Sequence, residues 1–273
     1  MSKSNLITRT ITGLLYGLTL IASLVINYYT FYIFFFIVLV LGLKEFYELI
    51  EKKDIIPQKF LGFVISIGLY VSSYLINVNK KMSFLTLILF LGFIFLLFAV
   101  EIFKNKKNSL PNIGSTIFGV IYIALPLSLL TFLAFDSDNQ YNYNLTLGMF
   151  ILVWLSDVGG YIVGVNFGKH KFFERISPKK TWEGVGGSLI LCIAGSCFLY
   201  QFLPIMNIYM WVVFGVLVFL GSVIGDLIES KLKRSANIKD SGNILPGHGG
   251  ILDRFDSVLF VIPIVYIFKF FIL

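Results

Sequence analysis

Asp226, Asp253 and Asp256 sit in a stretch otherwise crowded with bases and glycines, between two long apolar runs. Lys231, Lys233, Arg234, Lys239 and Arg254 lie among them, together with Ser230, Asp240 and His248. Carboxylates gathered at one place repel one another. A hard cation resolves that repulsion, and Mg²⁺ takes carboxylate oxygens while keeping waters and substrate phosphates as its other ligands. Bases beside the acids suit phosphate oxygens. Phosphate chemistry assisted by a metal is the reading these residue types favour.

The spacing says how the groups meet. On a helix continuing through GDLIESKLKR, Asp226, Glu229, Ser230 and Lys233 fall at i, i+3, i+4 and i+7 and share one face. Asp226 then faces the negative end of a helix macrodipole near the membrane boundary, so a positive neighbour is expected. Next comes KDSGNILPGHGG, where Gly242, Gly247, Gly249, Gly250 and Pro246 exclude a helix and allow tight turns. Backbone N–H groups of such a loop can cradle phosphate. Asp253 and Asp256, at i and i+3, open the last apolar run. Packed as an antiparallel hairpin, the two flanking runs bring Asp226, Asp253 and Asp256 to one depth.

A second polar stretch, FGKHKFFERISPKKTWEG, spans residues 167–184. Lys179, Lys180 and Thr181 are candidate phosphate ligands, presented by a turn at Pro178. Phe172, Phe173 and Trp182 suit the interfacial zone where aromatic rings settle. Lys169 and Lys171 read as solvated or headgroup-facing, and His170 as an ordinary interfacial residue. Upstream, Asp157 lies deep in an apolar run, which makes it a functional candidate by default. Ser156, Gly160 and Gly164 repeat every four residues and form a face for close helix packing. Cys192 and Cys197 share one apolar run and point to different faces, so they read as packing residues without a disulfide.

These groups need a scaffold, and composition names its class. The chain of 273 residues is 57% hydrophobic and only 14% charged, with 29 Phe and 14 Tyr. A soluble domain carries about 25% charged residues, so a polytopic membrane protein is the class implied. Reading about 20 residues per crossing predicts nine transmembrane helices, near 10–27, 29–49, 60–77, 82–103, 112–133, 145–166, 185–203, 207–228 and 255–273. With the N-terminus in the cytoplasm, all of the 22 basic residues except Lys80, Lys81 and Lys269 fall on the inner side. The net charge of +7 is therefore a charge on one membrane face, and it does not indicate a nucleic-acid partner. Residues 1–133 read as N-terminal helices that anchor and could dimerise. Residues 134–273 read as the catalytic region, with loops 167–184 and 229–254 on the cytoplasmic side.

The run S-x-L-K-R-x4-K-D followed by P-x-H-G-G-x-x-D-R-x-D resembles the signature of phosphatidate cytidylyltransferases, the CDP-diacylglycerol synthases. It is carried here by Ser230, Leu232, Lys233, Arg234, Lys239, Asp240, Pro246, His248, Gly249, Gly250, Asp253, Arg254 and Asp256, without departure. The segment SDVGGYIVGVNFGKHKFFERISPKKTWEG (156–184) is similar to the family's other hallmark. The likeness is firm over about 150–273 and is one of general hydropathy before that. It implies an all-α, multi-pass enzyme of the inner membrane, often dimeric, that joins CTP and phosphatidic acid into CDP-diacylglycerol and pyrophosphate. By position it implies Asp226 and Asp253 as ligands of Mg²⁺, with a second cation such as K⁺ left open. The catalytic set is then Asp226, Lys239, Asp240, His248, Asp253, Arg254 and Asp256. Substrate contacts fall to Ser230, Lys233, Arg234, Gly249, Gly250, Lys179, Lys180, Thr181 and Asp157. Two other readings stand beside it: a CTP-dependent lipid-alcohol kinase, which would release CDP, and a transporter of a phosphorylated solute, which would carry its polar groups at midplane.

Overall fold

The computed structural model describes residues 3–78, 83–103, 108–136, 140–244, 247 and 249–272. Lys80, Lys81, Lys104, Lys106, Lys107, Pro246 and His248 lie outside the described residues, as do the side chains of Lys3 and Arg9. Among the described residues the chain is helical throughout, with two isolated β-bridges, Phe135 to Tyr141 and Lys171 to Thr181. Helices dominate because a backbone in hydrocarbon must satisfy its own hydrogen bonds. Among the described residues five are long and apolar enough to cross a membrane: Lys59–Asn77, Ser109–Leu133, Asn144–Phe167, Trp182–Phe202 and Ile208–Ser235. Two shorter apolar helices cover Thr10–Ile26 and Leu89–Ile102.

The chain forms two compact units. The first comprises Met1–Tyr141 and Ala236–Arg254. It holds α1 (Lys3–Ile26), α2 (Tyr28–Glu51), α3 (Lys59–Val78), α4 (Ser83–Ile102), α5 (Ser109–Gly119) and α6 (Leu125–Leu133). Asn27 separates α1 from α2 by a reciprocal cap: its Oδ1 accepts from Thr30 N at 2.9 Å, and its own N–H donates to Thr30 Oγ1 at 3.3 Å. Between α5 and α6 the backbone takes one π turn, Val120–Ala124, just before Pro126. Proline cannot donate the usual helical bond, and a wider turn accommodates that loss.

The core of this unit is aromatic. Phe31, Phe35, Phe46 and Tyr47 of α2 are fully buried. Tyr47 fills the space left by two glycines: a Cβ on Gly62 would lie 2.2 Å from its Oη, and one on Gly119 would lie 2.8 Å from its Cε1. Its hydroxyl donates to Thr116 O at 3.2 Å. A buried polar knot ties the α2–α3 connection to α4 and α5. Gln58 Nε2 donates to Glu101 Oε2 at 2.5 Å, Asn112 Nδ2 donates to Glu101 Oε1 at 3.1 Å, and Ile56 N donates to Asn112 Oδ1 at 2.8 Å.

The second unit comprises Asn142–Ser235 and Phe255–Leu273. It holds α7 (Asn144–Phe167), α8 (Trp182–Phe202), α9 (Ile208–Ser235) and most of α10 (Leu252–Ile272). The small face expected on α7 is realised against α8. Ser188 Oγ donates to Ser156 O at 2.6 Å, and a Cβ on Gly160 would lie 2.7 Å from that same Oγ. Gly159 and Gly187 bring the two backbones together, since a Cβ on Gly159 would meet Gly187 O at 2.5 Å. Cys192 is buried, Cys197 is exposed, and both are free thiols, as their spacing implies.

This contact makes a clean prediction. A Cβ on Gly187 would lie 2.5 Å from Val163 Cγ2 and 2.7 Å from Gly159 O, whereas one on Gly186 would meet nothing within 4 Å. Gly187→Ala should destabilise the α7–α8 pair by about 1–3 kcal/mol through overpacking. Gly186→Ala should leave it unchanged. Thermal unfolding in detergent, followed by circular dichroism, separates the two.

Candidate active site

In the second unit the polar loop after α7 is a folded hairpin. Phe172 N donates to Lys180 O and Trp182 N to His170 O, both at 2.9 Å. Its tip turns at Phe173, whose φ of 50° is left-handed, and the backbone N–H groups of Ile176 and Ser177 both return to Phe173 O. Phe172 is buried, with its ring 4.6 Å from that of Trp182. Lys171 Nζ closes the hairpin on Pro178 O at 2.9 Å. His170 Nδ1 pairs with Glu183 Oε1 at 2.6 Å.

Thr181 ends the hairpin and starts α8. Its Oγ1 accepts from Gly184 N at 3.1 Å, so this residue is an N-cap, and it is buried. The brace holds the neighbouring Lys180 in a fixed place. Lys180 Nζ lies 2.5 Å from Asp226 Oδ2 on α9. This is the positive neighbour that Asp226 required. On the other side, Ser230 Oγ donates to Asp226 Oδ1 at 3.2 Å, one turn along the same helix. One turn further, Lys233 pairs with the fully buried Glu229. Lys233 and Arg234 also sit in the last turn of α9, where cations complement the macrodipole.

Asp256 reaches this cluster because α9 and α10 cross closely. A Cβ on Gly225 would lie 2.7 Å from Asp256 O and 2.9 Å from Ser257 Cα. Asp226, Asp157 and Lys233 are all near enough for their charges to act on Asp256. The second unit therefore gathers Asp157, Lys180, Asp226, Ser230, Lys233 and Asp256. Lys169, Arg175, Lys179, Lys231 and Arg234 of the same unit are exposed. Three acids interleaved with two cations form a place where a polyphosphate can exchange for internal partners.

The remaining predicted residues belong to the first unit. Lys239, Asp240 and Arg254 are exposed. Asp253 Oδ2 accepts from Ser241 N at 2.9 Å and from Gly250 N at 2.8 Å, folding the loop back on the start of α10. The Gly250 N–H, expected on phosphate, is thus engaged by Asp253. Gly249 has φ 88°, and a Cβ there would lie 2.5 Å from Asp253 Oδ2, so glycine is required on both counts.

Sequence comparison places this chain among known proteins. The model of the "Cytidylyltransferase family" matches residues 7–272. The chain belongs to the cytidylyltransferase family. A relative from Bacillus subtilis (strain 168), named phosphatidate cytidylyltransferase, is 33% identical over 264 residues, covering 94% of this chain and 95% of that protein. One of the same name from Staphylococcus aureus (strain COL) is 31% identical over 230 residues, covering 84% and 86%. A third, from Mycobacterium bovis, is 41% identical over 155 residues, covering 57% and 50%.

Within this cytidylyltransferase fold, the acids of the second unit are of the donor type that a hard cation takes. Asp226, Asp256 and Asp157 are carboxylates, the donor type that Mg²⁺ takes. Among the described residues no group of three or more His, Cys, Asp or Glu side chains stands placed to hold a metal ion.

One residue that supports the motif escaped the sequence. Glu45 of α2 is buried, and its carboxylate accepts from Ser241 Oγ, Ile251 N and Leu252 N of the signature loop. An acid inside an apolar run is costly unless partnered, and that cost was the available signal.

Proposed function

We propose that this chain transfers the cytidylyl group of CTP to phosphatidic acid, giving CDP-diacylglycerol and pyrophosphate. The observation that carries the reading is similarity along almost the full length of relatives that bear the name phosphatidate cytidylyltransferase. The intact signature from Ser230 to Asp256 supports it.

The reaction joins a lipid phosphate at the membrane surface to a soluble nucleotide, so its site belongs at the interface. A phosphate oxygen of phosphatidic acid attacks the α-phosphorus of CTP. The bond from that phosphorus to the bridging oxygen of the β-phosphate breaks, and pyrophosphate leaves with the electron pair. No strong general base is needed, because the attacking phosphate is already ionised at neutral pH. Lys180 and Lys233 rest on Asp226 and Glu229. A triphosphate competes with those carboxylates for both cations and draws charge stabilisation from them. Lys239, Arg234 and Arg254 neutralise the leaving pyrophosphate or the lipid phosphate. The sequence motif alone assigns Asp226 and Asp253 as ligands of Mg²⁺, with K⁺ a candidate second cation. Bound Mg²⁺ supplies charge neutralisation and orientation of phosphate oxygens.

The same reading takes the chain as a homodimer with nine membrane crossings, in the inner membrane. Its N-terminus and catalytic loops lie on the cytoplasmic side, as the distribution of lysine and arginine favours. The direct test is purified protein in detergent with phosphatidic acid and CTP labelled in the α-phosphate. Labelled CDP-diacylglycerol and one pyrophosphate per turnover are expected. With a lipid alcohol supplied in a parallel reaction, release of CDP with a phosphorylated alcohol would instead identify a kinase, and absence of both products would overturn the reading.

A further inference from the structure

Glu45 lies 196 positions before Ser241, in a helix that the sequence alone reads as membrane anchor. Its carboxylate is only 2% exposed as a residue, yet both oxygens are engaged. Oε1 accepts from Ile251 N at 2.9 Å. Oε2 accepts from Leu252 N at 2.8 Å and from Ser241 Oγ at 3.1 Å. Leu252 is the first residue of α10, so Glu45 caps that helix from a distant segment. It satisfies two of the N–H groups that a helix start leaves open and puts negative charge at the positive end of its dipole.

The glycines around it are explained by the same carboxylate. A Cβ on Gly242 would lie 2.4 Å from Glu45 Oε1, and one on Gly250 would lie 2.3 Å from both Glu45 Oε2 and Ser241 Oγ. Ser241 links two acids, donating its hydroxyl to Glu45 and its backbone N–H to Asp253. Asp253 in turn receives Gly250 N. The loop is therefore closed by two carboxylates, one from α10 itself and one from α2. Every donor in the closure comes from Ser241 or from residues 250–252.

We infer that Glu45 is a positioning residue for cytidylyl transfer: it fixes the start of α10 and the Ser241 turn, and thereby the orientation of the Asp253 carboxylate. Through it a side chain of the N-terminal helices acts on the motif residue Asp253. Replacing the carboxylate by a carboxamide leaves one oxygen for donors that now occupy two, and turns an NH₂ group toward an N–H. Glu45→Gln should consequently loosen the loop although the side chain keeps its size.

The test uses full-length protein in detergent and has two arms. Hydrogen exchange is followed by mass spectrometry on peptides covering residues 249–255 and on peptides from α2. Cytidylyl transfer is measured against Mg²⁺ and CTP concentration. Glu45→Gln should accelerate exchange at Gly250 to Leu252 at least tenfold, with α2 unchanged. It should also lower kcat at least tenfold and raise the Mg²⁺ concentration for half-maximal rate, with KM for CTP within about twofold of wild type. Ser241→Ala, which removes one of three donors, should show the same pattern at smaller size. The activity arm rests on the function proposed above, and the exchange arm does not. A wild-type protein without cytidylyl transfer would sink that function while exchange still judged Glu45. Unchanged exchange at 250–252 in Glu45→Gln overturns the positioning role. So does general loss of protection in Glu45→Gln with a wild-type loop in Ser241→Ala, because Glu45 would then serve the fold alone.

Discussion

Asp226→Asn should lower kcat for cytidylyl transfer by about a hundredfold or more, the scale expected when one preorganised electrostatic group is lost. Protein yield in membranes should stay near normal. The carboxylate sits between Lys180 Nζ at 2.5 Å and Ser230 Oγ at 3.2 Å, and asparagine keeps its shape while removing its charge. Both members of the ion pair retain some exposure, so its loss should cost the fold no more than about 1 kcal/mol. Stability and turnover should therefore separate. Lys180→Met should lose rate as well, with a raised KM for CTP if Lys180 moves from the carboxylate to a phosphate oxygen. Because the two side chains touch, the double variant should fall short of the product of the single losses. Near-normal turnover of Asp226→Asn across Mg²⁺ concentrations would remove Asp226 from the chemistry. Additive losses would separate the roles of Asp226 and Lys180.

Where the physics is local, the sequence was a good guide. Long apolar runs had to become helices, because hydrocarbon offers the backbone no other partner. The Ser156, Gly160 and Gly164 spacing became the α7–α8 contact, since a four-residue repeat of small side chains has one packing consequence. The demand that Asp226 find a cation was met by Lys180, one of the lysines singled out in the second polar loop. Partners fixed by long-range folding were harder to read. Nothing in the spacing of α2 points from Glu45 to Ser241, and Asp157 gave no sign that its charge would act on Asp256. The π turn at Val120–Ala124 left only Pro126 as a trace, and proline alone does not distinguish a kink from a wider turn. The glycines of the loop read as phosphate contacts, and in the structure the Gly250 N–H goes to Asp253 while its missing side chain makes room for Glu45. Residue types point to chemistry in this loop, while the hydrogen bonds decide which groups remain for a ligand.

That distinction sets up the second large effect. Asp253 has a structural duty, with Oδ2 receiving Ser241 N and Gly250 N, and the motif assigns it a catalytic duty as well. The two duties respond differently to substitution. Asp253→Asn can still present one oxygen to both N–H groups, so the loop loses only the charge assistance, about 1–2 kcal/mol over two bonds. Asp253→Ala removes the acceptor and leaves both donors without it, which should loosen the loop outright. If Asp253 acts in catalysis, Asp253→Asn should lose about a hundredfold or more in kcat while exchange at Gly250 rises only by the roughly 5- to 30-fold that about 1–2 kcal/mol allows. Asp253→Ala should then lose both rate and protection. If the carboxylate is only a brace, the rates should follow loop protection: Asp253→Asn nearly active and Asp253→Ala inactive. Labelled CTP turnover and exchange on the same preparations distinguish the outcomes, and a nearly active Asp253→Asn would withdraw this residue as a Mg²⁺ ligand.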